Sequence, residues 1–195
     1  MRFEIFNYKS VTSTNDTAIN LIKEKKKECG FVHADNQTKG RGTQGKEWIS
    51  LNGNLFGSLF FHLKKDHPTF SEFSIINPII ISEVIKLFCK GGNITLKFPN
   101  DILVNGKKIC GILQELITFG DRKFLIIGVG INVIKSPIIK NKYEATNILA
   151  ESNKKQKTEE IIKMIILSYE KFFLNINSFN YLEFKKKADL MAIKE

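Results

Sequence analysis

A chain of 195 residues, of which 43% are hydrophobic and 26% charged, has the size and composition of one soluble globular domain. Its net charge of +10 comes almost entirely from Lys, which favours a solvated surface over a nucleic-acid site, because nucleic-acid readers rely on Arg. The longest nearly uninterrupted apolar run, 124–133, is too short for a membrane span, and three scattered cysteines without a C-x-x-C pair indicate a reducing cytoplasm rather than disulfides or a zinc ribbon.

The first half of the chain is predicted to alternate strands with helices. The predicted strands cover 3–8, 31–35 and 54–63, and the predicted helices cover 14–26 and 77–89. Ser13 and Asp16 have the S-x-x-D spacing of a capping box, which marks the start of the first helix. Asn77 is the predicted N-cap of the second helix, because Pro78 follows it at a position that favours the first helical turn.

The second half is predicted to be richer in hairpins. The predicted strands cover 94–99, 101–104, 108–116 and 123–133, and a polar irregular loop follows over 134–145. The pair Asn105-Gly106 is a strong signal for a tight hairpin turn, and Thr158 is the predicted cap of a long final helix. Together these elements predict one α+β domain over residues 1–195, with a mixed β-sheet and helices packed on one face.

The segment KGRGTQGKEW at 39–48 contains two nucleotide-binding patterns, G-x-G-x-x-G and G-x-x-x-x-G-K. Both patterns must open a helix, whereas this segment runs into Asn52, Gly53 and Asn54, which interrupt helices. Glu47 also replaces the Ser or Thr that a P-loop needs for Mg²⁺. The segment is therefore either a flexible surface turn or an anion-binding loop whose glycines let backbone N–H groups approach a ligand.

Five segments in chain order resemble the motifs of the biotin–protein ligases. They are S-T-N at 13–15, Q-T-K-G-R-G-x-x-G-x-x-W at 37–48, K-F-P-N-D at 97–101, K-I-C-G-I-L-x-E at 108–115 and G-V-G-I-N at 128–132. Each motif is weak alone, but five in order over roughly 8–175 are specific. The resemblance implies a catalytic domain with the fold of class II aminoacyl-tRNA synthetases and biotin synthetases. We expect neither the N-terminal helix-turn-helix nor the C-terminal barrel of longer members.

The resemblance also implies a two-step reaction. Biotin and ATP first give biotinyl-5′-AMP and pyrophosphate, and a lysine of a biotin carrier domain, as in acetyl-CoA carboxylase, then attacks the mixed anhydride. Mg²⁺ is expected with ATP, without a dedicated protein metal site. The carrier domain, biotin and ATP are the expected partners, a homodimer formed by sheet-edge pairing is possible in this family, and neither DNA nor a membrane is expected.

The resemblance assigns roles to individual residues. The residues matched to biotin contacts are Ser13, Thr14, Asn15, Gln37, Gly40, Arg41, Gly42, Thr43, Lys97 and Gly111. Those matched to ATP contacts are Arg41, Lys97, Asn100 and Asn132, and those matched to catalysis are Arg41, Lys97, Asp101 and Lys108. No metal ligand is predicted. The loop 134–145 corresponds to the adenine-covering loop of the family.

Simpler structural explanations stand beside these roles. Ser13 is explained equally well by helix capping alone, and Lys97 is either a buried charge that needs a partner or a solvated lysine on an edge strand. Lys107 should be solvated, because neighbouring residues of a strand point to opposite faces and only one of Lys107 and Lys108 can reach a pocket. Gly128 and Gly130 are expected to let a ligand or a neighbouring strand approach closely.

Thr43 departs from the family, in which a basic residue at this position helps to retain the reactive adenylate. We hypothesise a leakier intermediate that reaches off-target lysines, unless Lys46 partly substitutes for the missing cation. Phe98 in place of Trp is a mild apolar change.

Three rival functions remain open at this stage. A lipoate or octanoate ligase or transferase of the same superfamily needs apolar pocket walls, whereas a ureido ring needs polar ones. A nucleic-acid-binding module is supported only by the charge, and an inactive domain that merely binds biotin or the carrier is the third possibility.

Overall fold

One seven-stranded sheet organises residues 1–138 and 144–193, the part of the chain that the computed structural model describes. The strands are β1 (Ile5–Val11), β2 (Cys29–Gln37), β3 (Leu55–His62), β4 (Ile94–Lys97), β5 (Asp101–Val104), β6 (Lys107–Phe119) and β7 (Arg122–Ile131). The helices are α1 (Thr14–Lys25), α2 (Phe70–Phe88), α3 (Ile148–Ser152), α4 (Thr158–Leu174) and α5 (Tyr181–Met191), with 3₁₀ turns at Thr43–Gly45 and Ile176–Ser178.

The order of the strands across the sheet is β1-β2-β3-β7-β6-β5-β4. β1 runs parallel to β2, and the other neighbouring pairs are antiparallel, so the predicted mixed sheet of an α+β domain is confirmed. β3 pairs with β7, with Leu55 opposite Ile131 and His62 opposite Phe124. This single pairing joins the first three strands to the last four.

Helices cover both faces of the sheet, so the prediction that they pack on one face was wrong for α1. Phe31 and Phe61 belong to the large core under α2, α4 and α5. Their strand neighbours Val32 and Phe60 belong to a smaller core under α1. Because successive strand residues point to opposite faces, α1 must lie on the face away from the other long helices.

Two local predictions are confirmed by backbone geometry. The hydroxyl of Ser13 accepts a hydrogen bond from the backbone N–H of Asp16 at 3.5 Å, which caps α1. Asn105 and Gly106 both have positive φ, 51° and 78°, as the tightest type of hairpin turn requires. The strands β5 and β6 flank this turn as predicted.

The second long helix begins earlier than predicted. α2 starts at Phe70, and Thr69 and Glu72 form a reciprocal capping box, in which each side chain accepts a hydrogen bond from the backbone N–H of the other residue. Asn77 is therefore not an N-cap, and Pro78 lies inside the helix. The sequence did contain the T-x-x-E signal of a capping box at 69–72. The start of the helix was placed at 77 instead because the Asn-Pro pair there also resembles a helix start.

Within 144–193 the chain forms three helices, α3, α4 and α5, where one was predicted. α4 begins at Thr158 with Lys157 as its N-cap residue, and no side chain caps it, so the predicted cap was one residue late. After α5, the backbone N–H of Ile193 donates to the carbonyl of Leu96 at 3.0 Å, which lays the end of the described chain beside β4. All three cysteines are free, and within 1–138 and 144–193 no helix is both long and apolar enough to cross a membrane.

Candidate active site

A cavity of about 450 Å³ lies on the α1 face of the sheet, between the start of α1, the glycine-rich loop and the strands β6 and β7. It brings together most of the residues that the sequence motifs single out. The predicted site residues that line it are Ser13, Thr14, Asn15, Gln37, Arg41, Gly42, Thr43, Asn100, Asp101, Lys108 and Gly111. Gly40, Lys97 and Asn132 do not line it.

Polar side chains at one end of the cavity form a connected network. The amide oxygen of Gln37 accepts hydrogen bonds from the backbone N–H of Thr14 at 2.9 Å and from its hydroxyl at 3.2 Å. The hydroxyl of Ser58 lies 2.8 Å from the Thr14 hydroxyl and 2.5 Å from the side-chain oxygen of Asn15. Ser13, 2% exposed, caps α1 and also lines the cavity, so its two predicted roles are compatible.

Ser58 was missed by the sequence reasoning, although it holds two residues of the S-T-N motif. It is fully buried in the middle of β3. The available signal was its type, because Ser58 is the one hydroxyl in the apolar run LFGSLFFH. A buried hydroxyl in such a strand needs a partner, and here the partners are the side chains at the start of α1.

Arg41 is held by carboxylates at the mouth of the cavity. Its guanidinium donates to both oxygens of Glu115, at 2.9 and 2.8 Å, and to Asp16 at 2.7 Å. The hydrogen bonds to Glu115 are the largest cause of a pKa for Arg41 above its ordinary value. Glu115 also accepts a 2.6 Å hydrogen bond from Asn15, so it ties the glycine-rich loop to the start of α1. The phosphate-binding role of Arg41 stays a prediction.

Lys108 and Asp101 form an ion pair inside the cavity. Their charged atoms are 2.7 Å apart, and their side chains are only 14% and 19% exposed. Lys107 instead pairs with Glu144 at 2.9 Å on the surface and is 48% exposed. The predicted difference between the two neighbouring lysines is therefore confirmed by their placement on β6.

Lys97 is not buried, so the expectation of a buried charge on its strand was wrong. It is the last residue of β4, which is the edge strand of the sheet, and its side chain is exposed. Four-residue strands at an edge carry solvated lysines readily, because one side of the strand faces water. The geometry thus agrees with the simpler structural explanation, and the catalytic role matched to Lys97 has no support from its position.

The indole of Trp48 packs against β6 and β7, where two glycines make room for it. A Cβ on Gly130 would lie 2.4 Å from the Trp48 ring, and one on Gly111 would lie 2.7 Å from it. Gly128 makes the same kind of room for Asn15, whose side-chain oxygen would lie 2.5 Å from a Cβ. Side chains thus occupy part of the space beside Gly128 and Gly130. Both glycines also line the cavity, so their expected role in admitting a ligand stays a prediction.

The glycine-rich loop folds back on itself and opens no helix, so the rejection of both nucleotide patterns is confirmed. The backbone N–H of Trp48 donates to the carbonyl of Gly40 at 2.9 Å, and that of Gly42 donates to Lys46 at 2.7 Å. Gly40 is buried under the loop, where a Cβ would lie 2.7 Å from the Trp48 carbonyl. Thr43 faces the cavity, with its hydroxyl 3.5 Å from the side-chain nitrogen of Asn100.

A second recess of about 50 Å³ adjoins the first and shares Trp48 and Lys108 with it. Asn132 lines this recess, together with Pro137 and Ala145 from the loop that follows β7. Residues 139–143 of the predicted adenine-covering loop lie outside the described residues. The indole nitrogen of Trp48 is buried, and no acceptor reaches it from the described part of the chain.

The cavity is electrostatically mixed. The cations Arg41, Lys46 and Lys108 line it together with the anions Glu47 and Asp101. Among the described residues, no cluster of three or more His, Cys, Asp or Glu side chains could hold a metal ion. The arrangement suits an anionic ligand that replaces internal carboxylates as the partner of these cations.

Comparison with known families agrees with this geometry. Residues 8–132 match the profile of the biotin/lipoate A/B protein ligase family. The chain belongs to this family. The match covers the S-T-N segment, the glycine-rich loop, β5 to β7 and both cavities up to Asn132.

Individual members of the family give the same picture. The chain is 34% identical over 171 residues to the bifunctional ligase/repressor BirA of Bacillus subtilis, a match that covers 83% of this chain and 51% of that protein. It is 30% identical over 127 residues to the biotin--[acetyl-CoA-carboxylase] ligase of Paracoccus denitrificans, covering 64% and 52%. The chain thus spans about half the length of these relatives.

The fold is also that of a solved member of the family. A biotin protein ligase from Aquifex aeolicus, determined in complex with biotin and ATP, superposes with a TM-score of 0.81 at 27% identity. The superposition covers 97% of this chain and 78% of the other. The predicted likeness to the fold of biotin synthetases is therefore confirmed.

Proposed function

We propose that this chain is a ligase that activates biotin with ATP as biotinyl-5′-AMP and transfers it to a lysine of a carrier domain. The observation that carries the proposal is the position of Lys108, which lines both the large cavity and the adjoining recess. A carboxylate that attacks an α-phosphate needs a fixed cation where the two anionic groups meet. Lys108 is a mostly buried cation at the junction of two binding spaces.

The polar end of the large cavity favours biotin over a lipoyl or octanoyl chain. A ureido ring offers N–H donors and a carbonyl acceptor. The site contains hydroxyl and amide groups, which can both donate and accept hydrogen bonds. These groups belong to Ser13, Thr14, Asn15 and Gln37, and Ser58 supports Thr14 and Asn15 from beneath. A lipoyl tail would offer these groups no hydrogen bond and would place apolar surface against them, whereas such a tail needs apolar walls.

The proposed chemistry needs two displacements. In the first, a biotin carboxylate oxygen bonds to the α-phosphorus of ATP, and the bond to pyrophosphate breaks. In the second, the neutral amine of the carrier lysine attacks the acyl carbon, the bond to AMP breaks, and the amine loses a proton. Lys108 would stabilise the negative charge in the first step, with Asp101 orienting it through their 2.7 Å ion pair.

Several finer points belong to the same proposal. Mg²⁺ would enter with the ATP phosphates, since it is usually bound by one or two carboxylates together with phosphates and water. The acceptor would be a biotin carrier domain such as that of acetyl-CoA carboxylase, and the setting the cytoplasm. Edge pairing through β1, which exposes Ile5 and Tyr8, offers a surface for a homodimer.

The proposal is tested by biotin-dependent exchange of labelled pyrophosphate into ATP. We expect exchange with biotin and none without it, because the first step is reversible and needs no carrier. Lipoate and octanoate serve as matched alternative acids in the same assay. Exchange with either of them instead of biotin would support the lipoate branch of the family, and absence of exchange with all three acids would contradict adenylation by this chain.

Thr43 provides a separate prediction about retention of the adenylate. Thr43→Arg should lower self-biotinylation about tenfold, because a charge-assisted hydrogen bond contributes about 1.5–3 kcal/mol to holding an anion. Biotinylated lysines on the chain and on a bystander protein are counted by mass spectrometry after incubation with biotin and ATP.

The matched control for this prediction is Gln44→Arg, which adds the same charge one residue away on the exposed side of the loop. It should leave self-biotinylation unchanged. If the native chain labels neither itself nor the bystander, the leakage hypothesis is wrong, and Lys46 becomes the residue to examine.

A further inference from the structure

Asn54 is a buried amide that lies just before β3 and outside both cavities. Its side-chain oxygen accepts hydrogen bonds from three consecutive backbone N–H groups, those of Val133, Ile134 and Lys135, at 2.9, 3.1 and 3.2 Å. Its side-chain nitrogen donates to the carbonyl of Lys135 at 2.9 Å. One side chain thus satisfies four backbone groups at the point where the chain leaves β7.

Asn132 holds the other end of the same loop. Its side-chain nitrogen donates to the carbonyl of Thr146 at 3.0 Å, and its side-chain oxygen lies 3.5 Å from the nitrogen of Asn54. Both amides are almost fully buried, 3% and 2% exposed. The two ends of the loop 134–145 are therefore fixed to the sheet by two adjoining asparagines, which we call the amide clamp.

The amide clamp sets one wall of the small recess. Pro137 follows the Asn54-bound turn by two residues, and Ala145 precedes the Asn132-bound carbonyl by one. Trp48 also lines the recess, and its indole packs against Gly111 and Gly130 of the sheet rather than against the loop's anchors. The width of the recess therefore depends on where the clamp holds the loop.

We propose that Asn54 is a positioning residue for the nucleotide half of the site. This inference rests on the proposed function, in which the α-phosphate meets biotin at Lys108 and the nucleoside extends into the recess beyond it. Asn suits the position because an amide is both acceptor and donor, whereas Asp would face the Lys135 carbonyl with a second acceptor. Asn54 touches no ligand space and acts only through the loop.

The test compares Asn54→Ala with Asn77→Ala. Asn77 is also buried and hydrogen-bonded, to Gln114 at 2.7 Å and Tyr169 at 2.9 Å, but it lies between α2, α4 and β6 on the opposite face. We expect Asn54→Ala to raise KM for ATP at least tenfold while KM for biotin changes less than twofold. Asn77→Ala should lower the thermal unfolding temperature comparably and leave both KM values unchanged.

A second readout does not depend on activity. Trp48 is the only tryptophan and lines the recess, so its fluorescence reports nucleotide binding directly. With biotin saturating, the Kd for ATP should rise at least tenfold in Asn54→Ala and stay unchanged in Asn77→Ala. If the chain binds ATP but shows no pyrophosphate exchange, the proposed function fails. The Kd values of the two variants still test whether Asn54 positions the nucleotide site. Equal Kd values in the two variants, or no ATP response in the native chain, would overturn it.

Discussion

Lys108→Ala is expected to lower biotin-dependent pyrophosphate exchange by about 10²–10³-fold, the usual effect of removing one fixed donor from developing negative charge. Lys108 is mostly buried, and no other Lys lines both cavities within the described residues. The loss should appear in kcat as well as in KM, because the cation acts most strongly where charge develops. The initial rate of exchange, measured at saturating biotin and ATP, checks the prediction.

Lys107→Ala is the matched control, because it removes the same side chain from the next position of β6. Its ion pair with Glu144 is on the surface, and surface pairs contribute only about 0–1 kcal/mol. We therefore expect a change of less than about fivefold. Since Lys108→Ala also deprives Asp101 of its ion pair, Lys108→Ala with Asp101→Asn separates lost charge stabilisation from an uncompensated carboxylate.

Lys97→Ala decides between the motif and the geometry. The family motif assigns catalysis to Lys97, whereas its exposed position on the edge strand predicts a rate close to that of the native chain. A loss as large as that of Lys108→Ala would contradict this expectation and would support the catalytic role that the motif assigns to Lys97.

Gly130→Ala is expected to reduce exchange by about 10–100-fold, with most of the loss in KM for ATP. The new Cβ would lie 2.4 Å from the Trp48 ring, so the indole must shift away from β7. Overpacking of this kind costs about 1–3 kcal/mol, and each 1.4 kcal/mol is a factor of ten. Because Trp48 walls both cavities, the displaced ring would enter the ligand space.

A double-mutant cycle tests the cause of this effect. In a Trp48→Ala background, Gly130→Ala should add almost nothing to the loss, because the ring that it displaces is gone. The measurements are KM for ATP and kcat of exchange for the two single variants and the double variant. Additive losses would mean that Gly130 acts on the backbone of β7 and not through Trp48.

Local signals in the sequence predicted local structure well. The S-x-x-D spacing at Ser13 fixed the start of α1, and Asn105-Gly106 fixed the β5–β6 hairpin, because each depends on residues within a few positions. The motifs also predicted most residues that line the large cavity. The start of α2 failed because two local signals competed, and the capping box at Thr69 prevailed over the Asn77-Pro78 pair.

Long-range placement could not be predicted from such signals. Lys97 and Lys108 are both strand lysines in family motifs, and only the strand order shows that one lies at the sheet edge and the other in the cavity. Ser58 and Asn54 acquire their roles from partners 40 or more positions away. The packing of the Trp48 ring against Gly111 and Gly130 depends in the same way on how β6 and β7 pair.

The pairing of β3 with β7 has a consequence for synthesis on the ribosome. β3, with the sequence LFGSLFFH, emerges early, yet its partner is complete only at Ile131. At roughly 5–20 residues per second this delay lasts several seconds, during which an apolar, uncharged strand edge stays open to other chains. The cavity is lined by residues from both halves of the sheet. A nascent chain can therefore bind ligand only after β7 has paired with β3 and covered its exposed edge.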